Sequence, residues 1–103
     1  MIVVSTETIC GKNLHPLGIA QGNVVWSKHI GRDIMAGFKT LVGGEIISYT
    51  EMLTEARSIA LKRMTDSAEK MGADAIVCVR LATSSIMQNA AELVAYGTAV
   101  KFI

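Results

Sequence analysis

Cysteine, proline and charge are all scarce in this 103-residue chain, and each scarcity removes a class of protein. The two cysteines, Cys10 and Cys78, form no CxxC pair and no dense framework, so no disulfide scaffold is expected. They read as reduced thiols, which places the chain in the cytoplasm. Charged residues make up 18%, against about 25% in ordinary soluble domains. Ten basic and nine acidic residues are interspersed, leaving a net charge of +1 and no basic run. A nucleic-acid binder would concentrate lysine and arginine on one face. The N-terminal residues Met1 to Val4 lack the positive region and apolar core of a signal peptide. No apolar run approaches the length that spans a bilayer.

What the chain does have is apolar material, half of its residues. A domain of this size buries only about two-thirds of its unfolded surface. The polar residues are too few to cover a small monomer, so self-association is expected. The length fits a single domain, 1–103.

Local patterns predict an α+β architecture. Ile2 to Thr6 reads as a short strand, Glu7 to Pro16 as a loop, and Gly18 to Trp26 as a second strand pairing with the first, with Gly22 as a bulge or bend. Ile30, Ile34, Phe38 and Leu41 fall at helical spacing, predicting a short helix over 28–41 that Gly43-Gly44 ends. A long helix is expected to open at Ser48, with Glu51 completing a capping box and Ile47 and Met52 a hydrophobic staple. Its apolar face runs through Tyr49, Met52, Leu53, Ala56, Ile59, Ala60, Met64, Ala68 and Met71, with Asp66 and Lys70 as an ion pair on the polar side. Gly72 closes it as a left-handed C′ residue. A buried strand follows, alternating Ala75, Val77, Val79 and Leu81 against Ile76, Cys78, Arg80 and Ala82. Ser84 to Ala91 reads as a turn and Leu93 to Ile103 as the last strand.

Several short signatures line up in order: Arg32-Asp33, Ala36-Gly37, Val42-Gly43-Gly44, Ala56-Arg57, Gly72-Ala73-Asp74-Ala75, Gln88-Asn89 and Gly97-Thr98-Ala99-Val100. In order and spacing the set resembles the YbjQ-like family of small bacterial proteins, across essentially the whole chain. The resemblance implies a dodecin-like β-α-β-β core, with extra strands that assemble a ring-shaped homopentamer. It also implies a heavy-metal-binding label. The shared glycines, alanines, Arg-Asp pair and aspartate are a poor donor set for a soft metal, so no metal site carries over residue by residue.

Candidate chemistry is thin. Cys10 and His15 form a loose C-x4-H in a loop, the best metal-ligand candidate, and His29 with Asp33 is the next. Cys78 and the helix methionines read as core. Arg32 could clamp an anion beside Asp33, although a cap for Asp33 and a subunit salt bridge for Arg32 explain the pair more simply. Asp74 follows a helix-stopping glycine, where an aspartate usually bonds backbone donors. Trp26, the lone tryptophan, could stack on a flat ligand or bury area at an interface. Glu51 and Glu55 share a solvated face, and no serine or cysteine nucleophile has a partner histidine. No catalytic residue is assigned. The leading expectation is a homo-oligomeric binding module, for a heavy-metal ion or small ligand at subunit interfaces through Arg32, Asp33, Trp26 and Asp74. An enzyme with a site at the subunit junction and a purely structural oligomer are the alternatives.

Overall fold

The computed structural model describes residues 1–27, 45–87 and 90–103, with side chains except at 26–27 and 45–49. The elements are β1 (Ile2–Val3), β2 (Leu14–Ser27), α1 (Glu45–Lys70), β3 (Ala75–Met87) and β4 (Ala90–Phe102). The helix expected over 28–41, Gly43-Gly44, His29, Arg32 and Asp33 lie outside the described residues, as do Gln88 and Asn89. The strands form one sheet in the order β1-β3-β4-β2. β1 runs parallel to β3, whereas β2 and β3 both run antiparallel to β4. The two N-terminal strands therefore do not pair with each other, as the sequence reading had it. They sit at opposite edges, because each finds its partner in the C-terminal hairpin.

Helix α1 starts three residues before Ser48, so Ser48 is not its N-cap and the Ser48–Glu51 capping box does not mark its start. At the other end the expected cap is present. Gly72 has φ +79°. Its N–H donates to the Glu69 carbonyl at 3.0 Å, and that of Ala73 reaches back to Ala68 at 3.1 Å. These two bonds are a Schellman motif, which satisfies carbonyls the helix end would leave open. A Cβ at Gly72 would meet no atom within 4 Å, so backbone strain alone sets the cost of a substitution. Gly72→Val is expected to lose about 1–3 kcal/mol, read by urea denaturation. An unchanged midpoint would contradict the left-handed cap.

Ala56, Ala60, Met64 and Ala68 are fully buried on one face of α1. They pack on Ala20 and Val24 of β2, Leu93, Ala95 and Ala99 of β4, and Ile76 of β3. The helix lies mainly over β2 and β4 and barely reaches β3. Met71, assigned above to the apolar face, is exposed, since it follows the last helical residue. The ion pair on the polar side joins Lys62 to Asp66 at 3.3 Å, one turn earlier than the Asp66–Lys70 pair. Gly22 is neither bulge nor bend, because its register with Ala95 is continuous. The irregularity of β2 falls between Pro16 and Gly18 instead.

The simple alternation expected for β3 breaks at Cys78. Val77 pairs with Thr98 and Arg80 with Tyr96, so Cys78 and Val79 together oppose Gly97. This is a β-bulge, with Cys78 at φ +56°. It turns Val79 towards the helix-side core beside Ile76, while Cys78 joins Ala75, Val77 and Val100 on the opposite face. Gly97 makes room for the change. A Cβ there would lie 2.8 Å from Ile76 Cγ2 and 2.9 Å from the Val77 carbonyl oxygen. The N-terminal segment follows the bulge, with the Cys78 N–H donating to Thr6 O at 3.0 Å and the Val79 N–H to Val4 O at 3.1 Å. Strand propensity alone would favour valine at position 78. The positive φ reverses that preference, because β-branched residues are strongly disfavoured there. Cys78→Val is therefore expected to lose about 1–3 kcal/mol and Cys78→Gly to stay within about 1 kcal/mol of the parent. Equilibrium unfolding of both variants decides between the two arguments, and a more stable Cys78→Val would remove the strained bulge.

Candidate functional site

Among the described residues, the candidates Cys10, His15, Asp74 and Trp26 fall at two ends of the sheet. At one end, the loop after β1 carries Cys10 in a turn closed by the Lys12 N–H on the Ile9 carbonyl at 3.1 Å. The Cys10 thiol is free and exposed. His15 sits on β2 rather than in that loop, opposite Lys101 in the β4 register. Lys12 lies over the Phe102 ring, 4.9 Å from its centroid, and the Ile103 N–H donates to Asn13 O at 3.0 Å, which tethers the loop to the end of β4.

Asp74 lies at this end too, and its groups are occupied by the fold. Its N–H donates to the Val100 carbonyl at 2.8 Å, and its Oδ2 accepts the Phe102 N–H at 2.8 Å. Its Oδ1 faces Lys101 Nζ at 3.9 Å, and the same ammonium donates to the Gly72 carbonyl at 3.2 Å. Asp74 thus ties the start of β3 to the end of β4, the role expected of an aspartate after a helix stop.

Trp26 is at the far end, opposite Ala91 in register. Asp74 bonds Val100, nine positions further along β4, which at strand rise is about 30 Å. One subunit therefore does not gather Trp26 and Asp74 around one ligand. Cys10 and His15 share an end of the sheet with Asp74. Yet the described residues contain no group of three or more histidine, cysteine, aspartate or glutamate side chains able to hold a metal ion. Two donors fall short of the three or four that a zinc site uses. Nor is any described helix long and apolar enough to cross a membrane.

A third surface is the sheet face turned away from α1. Val4, Ile9, Leu14, Cys78 and Phe102 pack around Ala75, Val77 and Val100, so the N-terminal segment covers the end of this face near Asp74. Beyond that cover, Ile19 is 70% exposed and Tyr96 40% exposed. Ile19 pairs with Thr98 and Gln21 with Tyr96, so both residues stand on the same face, which no other described element covers there.

The whole chain, residues 1–103, matches a family model described as YbjQ, "Putative heavy-metal-binding". The chain belongs to the YbjQ family. Relatives match it over nearly their whole length. A protein of Fervidobacterium nodosum called "UPF0145 protein" is 61% identical over 98% of this chain and 94% of its own length. A Vibrio parahaemolyticus protein of the same description is 57% identical over all of this chain and 99% of its own length. In three dimensions, a crystal structure of a Pediococcus pentosaceus protein of unknown function, from the DUF74 family, superposes on this YbjQ chain with a TM-score of 0.70. It covers 100% of this chain and 98% of the other at 12% identity, which shows a shared fold.

Proposed function

We propose that this YbjQ chain is one subunit of a homo-oligomeric binding module. It joins its copies through the uncovered sheet face, and its cargo is a heavy-metal ion or small ligand held between subunits. The observation that carries the reading is the exposed apolar row at Ile19 and Tyr96, on the sheet face opposite the one where α1 packs over β2 and β4. Two strand edges add to it. Among the described residues β2 has no outer neighbour, and β3 from Leu81 to Met87 extends past β1 with none. Long open edges template pairing with another chain unless they are blunted. β2 carries proline at one of its fourteen positions and no lysine, so little blunts it. Closing β2 of one copy onto β3 of the next would satisfy both edges and repeat around a ring. Five copies is the number the family resemblance implies. Two free thiols agree with a reducing, cytoplasmic setting.

Metal cargo is the reading for which the described donors of a single subunit are too few, so its ligands would come from more than one copy. Cys10 and His15 are the donors to test, since an exposed thiol can ionise and reach a metal. Titration with Zn(II) or Cu(I) is expected to show weak binding in the parent that Cys10→Ala abolishes, and equal binding by both would remove this donor set. Assembly is tested by sedimentation velocity and native mass spectrometry of the full chain. A discrete oligomer at micromolar concentration is expected. A stable monomer there would overturn the proposed function.

A further inference from the structure

Among the described residues, the helix crosses β2 and β4 and covers little of the outer half of β3 on the same side. An open cleft of about 400 Å³ results between α1 and the arm of the β3–β4 hairpin. Its size falls within the range of small-molecule sites. Leu53 of α1 and Ala91 and Leu93 of β4 give it an apolar floor. Thr83 and Ser85 pair with Leu93 and Ala91, so their side chains share the floor's face, and Ser84 completes the β3 wall.

Arg57 stands at the helix wall. Its guanidinium donates to Thr54 Oγ1 at 3.3 Å and forms no ion pair among the described residues. An arginine has five N–H donors in a fixed fork, so most of that fork is open to a ligand. The hydroxyls of Thr83, Ser84 and Ser85 likewise have no hydrogen-bond partner among the described residues.

We propose that this cleft binds a small organic carboxylate with an apolar body. The carboxylate would take the Arg57 fork in two parallel N–H···O bonds, the geometry that guanidinium matches best. The Thr83 and Ser85 hydroxyls can donate to the outer lone pairs, and the body lies on Leu53 and Leu93. Charge decides between anions. Arg57 is the one cation among the described residues lining the cleft, which balances one carboxylate. A phosphate ester carries nearly two charges at neutral pH and would call for a second cation or a nest of backbone N–H groups. The inference rests on the chain being a binding module, but the cleft is built by one subunit and does not depend on assembly.

The test uses 1-naphthoate as probe on the full-length chain, with 1-naphthamide as its neutral analogue and 1-naphthyl phosphate as the competing anion. Calorimetry is expected to give one naphthoate per chain, and amide shifts in NMR spectra should cluster at Leu53–Arg57, Thr83–Ser85 and Leu93. Arg57→Gln should weaken naphthoate at least tenfold while leaving the naphthamide affinity unchanged, and Arg57→Lys should recover part of the loss. Arg57 is exposed, so its variants should melt with the parent. Equal naphthoate affinity in parent and Arg57→Gln, or shifts clustered elsewhere, overturns the site. Tighter binding of 1-naphthyl phosphate overturns the carboxylate assignment. Sedimentation of the same samples separates the two readings: an intact oligomer without naphthoate binding removes the cleft and leaves the assembly standing.

Discussion

Gly22→Val is expected to leave the chain unfolded, and Gly22→Ala to lose at least about 2 kcal/mol, well into the range that overpacking costs. A Cβ at Gly22 would lie 2.5 Å from the Ala60 carbonyl oxygen and 2.6 Å from the Arg63 carbonyl carbon, and closer still to the Met64 nitrogen. All three atoms are helix backbone. No side-chain rotamer can relieve such a contact, so α1 would have to lift away from β2. The lift would undo the packing of Ala56, Ala60, Met64 and Ala68 on Ala20, Val24 and Ala95, the main core. It would also stretch the 2.7 Å bond from Arg63 Nη1 to the Asn23 carbonyl, which fastens the helix beside the contact. A domain of this size is held by only about 5–15 kcal/mol. The sign of the effect discriminates, because glycine weakens a strand and alanine there would otherwise help. Circular dichroism and urea unfolding read the result. A Gly22→Ala variant within about 0.5 kcal/mol of the parent, the scatter of ordinary surface substitutions, would mean that α1 is not seated on this glycine.

The glycine itself was visible in the sequence, but its meaning was not. A glycine inside a strand pattern marks either a bulge or a close backbone approach, and only the partner helix distinguishes them. The end of α1 was legible because a Schellman motif is local: Gly72 and its neighbours carry the whole signal. So was the buried face of the helix, through the spacing of Ala56, Ala60, Met64 and Ala68. Strand order was not legible, since the pairing of β1 with β3 and β2 with β4 joins residues more than sixty positions apart. The bulge at Cys78 escaped for another reason. Its left-handed conformation falls on a cysteine, and no local residue type announces it. Ser84 to Ala91 read as a turn because most of those residues are small or polar, Gln88-Asn89 among them. Ser84 to Met87 instead continue β3 past the helix, where their side chains are exposed on both faces and show no hydrophobic alternation to signal a strand. That extension is also what creates the cleft beside Arg57, a residue that the sequence offered only as half of an Ala56-Arg57 pair. Asp74 was placed in its structural role by the glycine before it, while its distance from Trp26 depended on pairings along the whole of β4.

Charge placed on the uncovered face should dissolve the proposed assembly without disturbing the subunit. Ile19→Glu is the sharpest form of this, because Ile19 is 70% exposed in the isolated chain and touches little that holds the fold together. If that side chain is buried between copies, removing it forfeits about 1.5–3 kcal/mol of apolar burial at each contact. A glutamate in its place adds the cost of desolvating an unpaired carboxylate, which is several kcal/mol more. At 1.4 kcal/mol per factor of ten, a total of about 4 kcal/mol weakens each contact roughly a thousandfold, enough to turn an oligomer stable at micromolar concentration into a monomer. Nearby glutamates would repel one another if the copies brought them together. The fold should barely respond, since Ala20 and Val24 on the opposite face of β2 carry the packing against α1. Ile19→Gln separates shape from charge, as it keeps the polar character and length without the carboxylate, and it should weaken assembly less. Tyr96→Glu, one diagonal neighbour away on β4, should repeat the effect of Ile19→Glu. Sedimentation velocity gives the mass and circular dichroism the fold. Monomers with a native spectrum are the expected result for both glutamate variants. An oligomer of unchanged mass in both would mean that copies meet elsewhere, at the strand edges or not at all on this face.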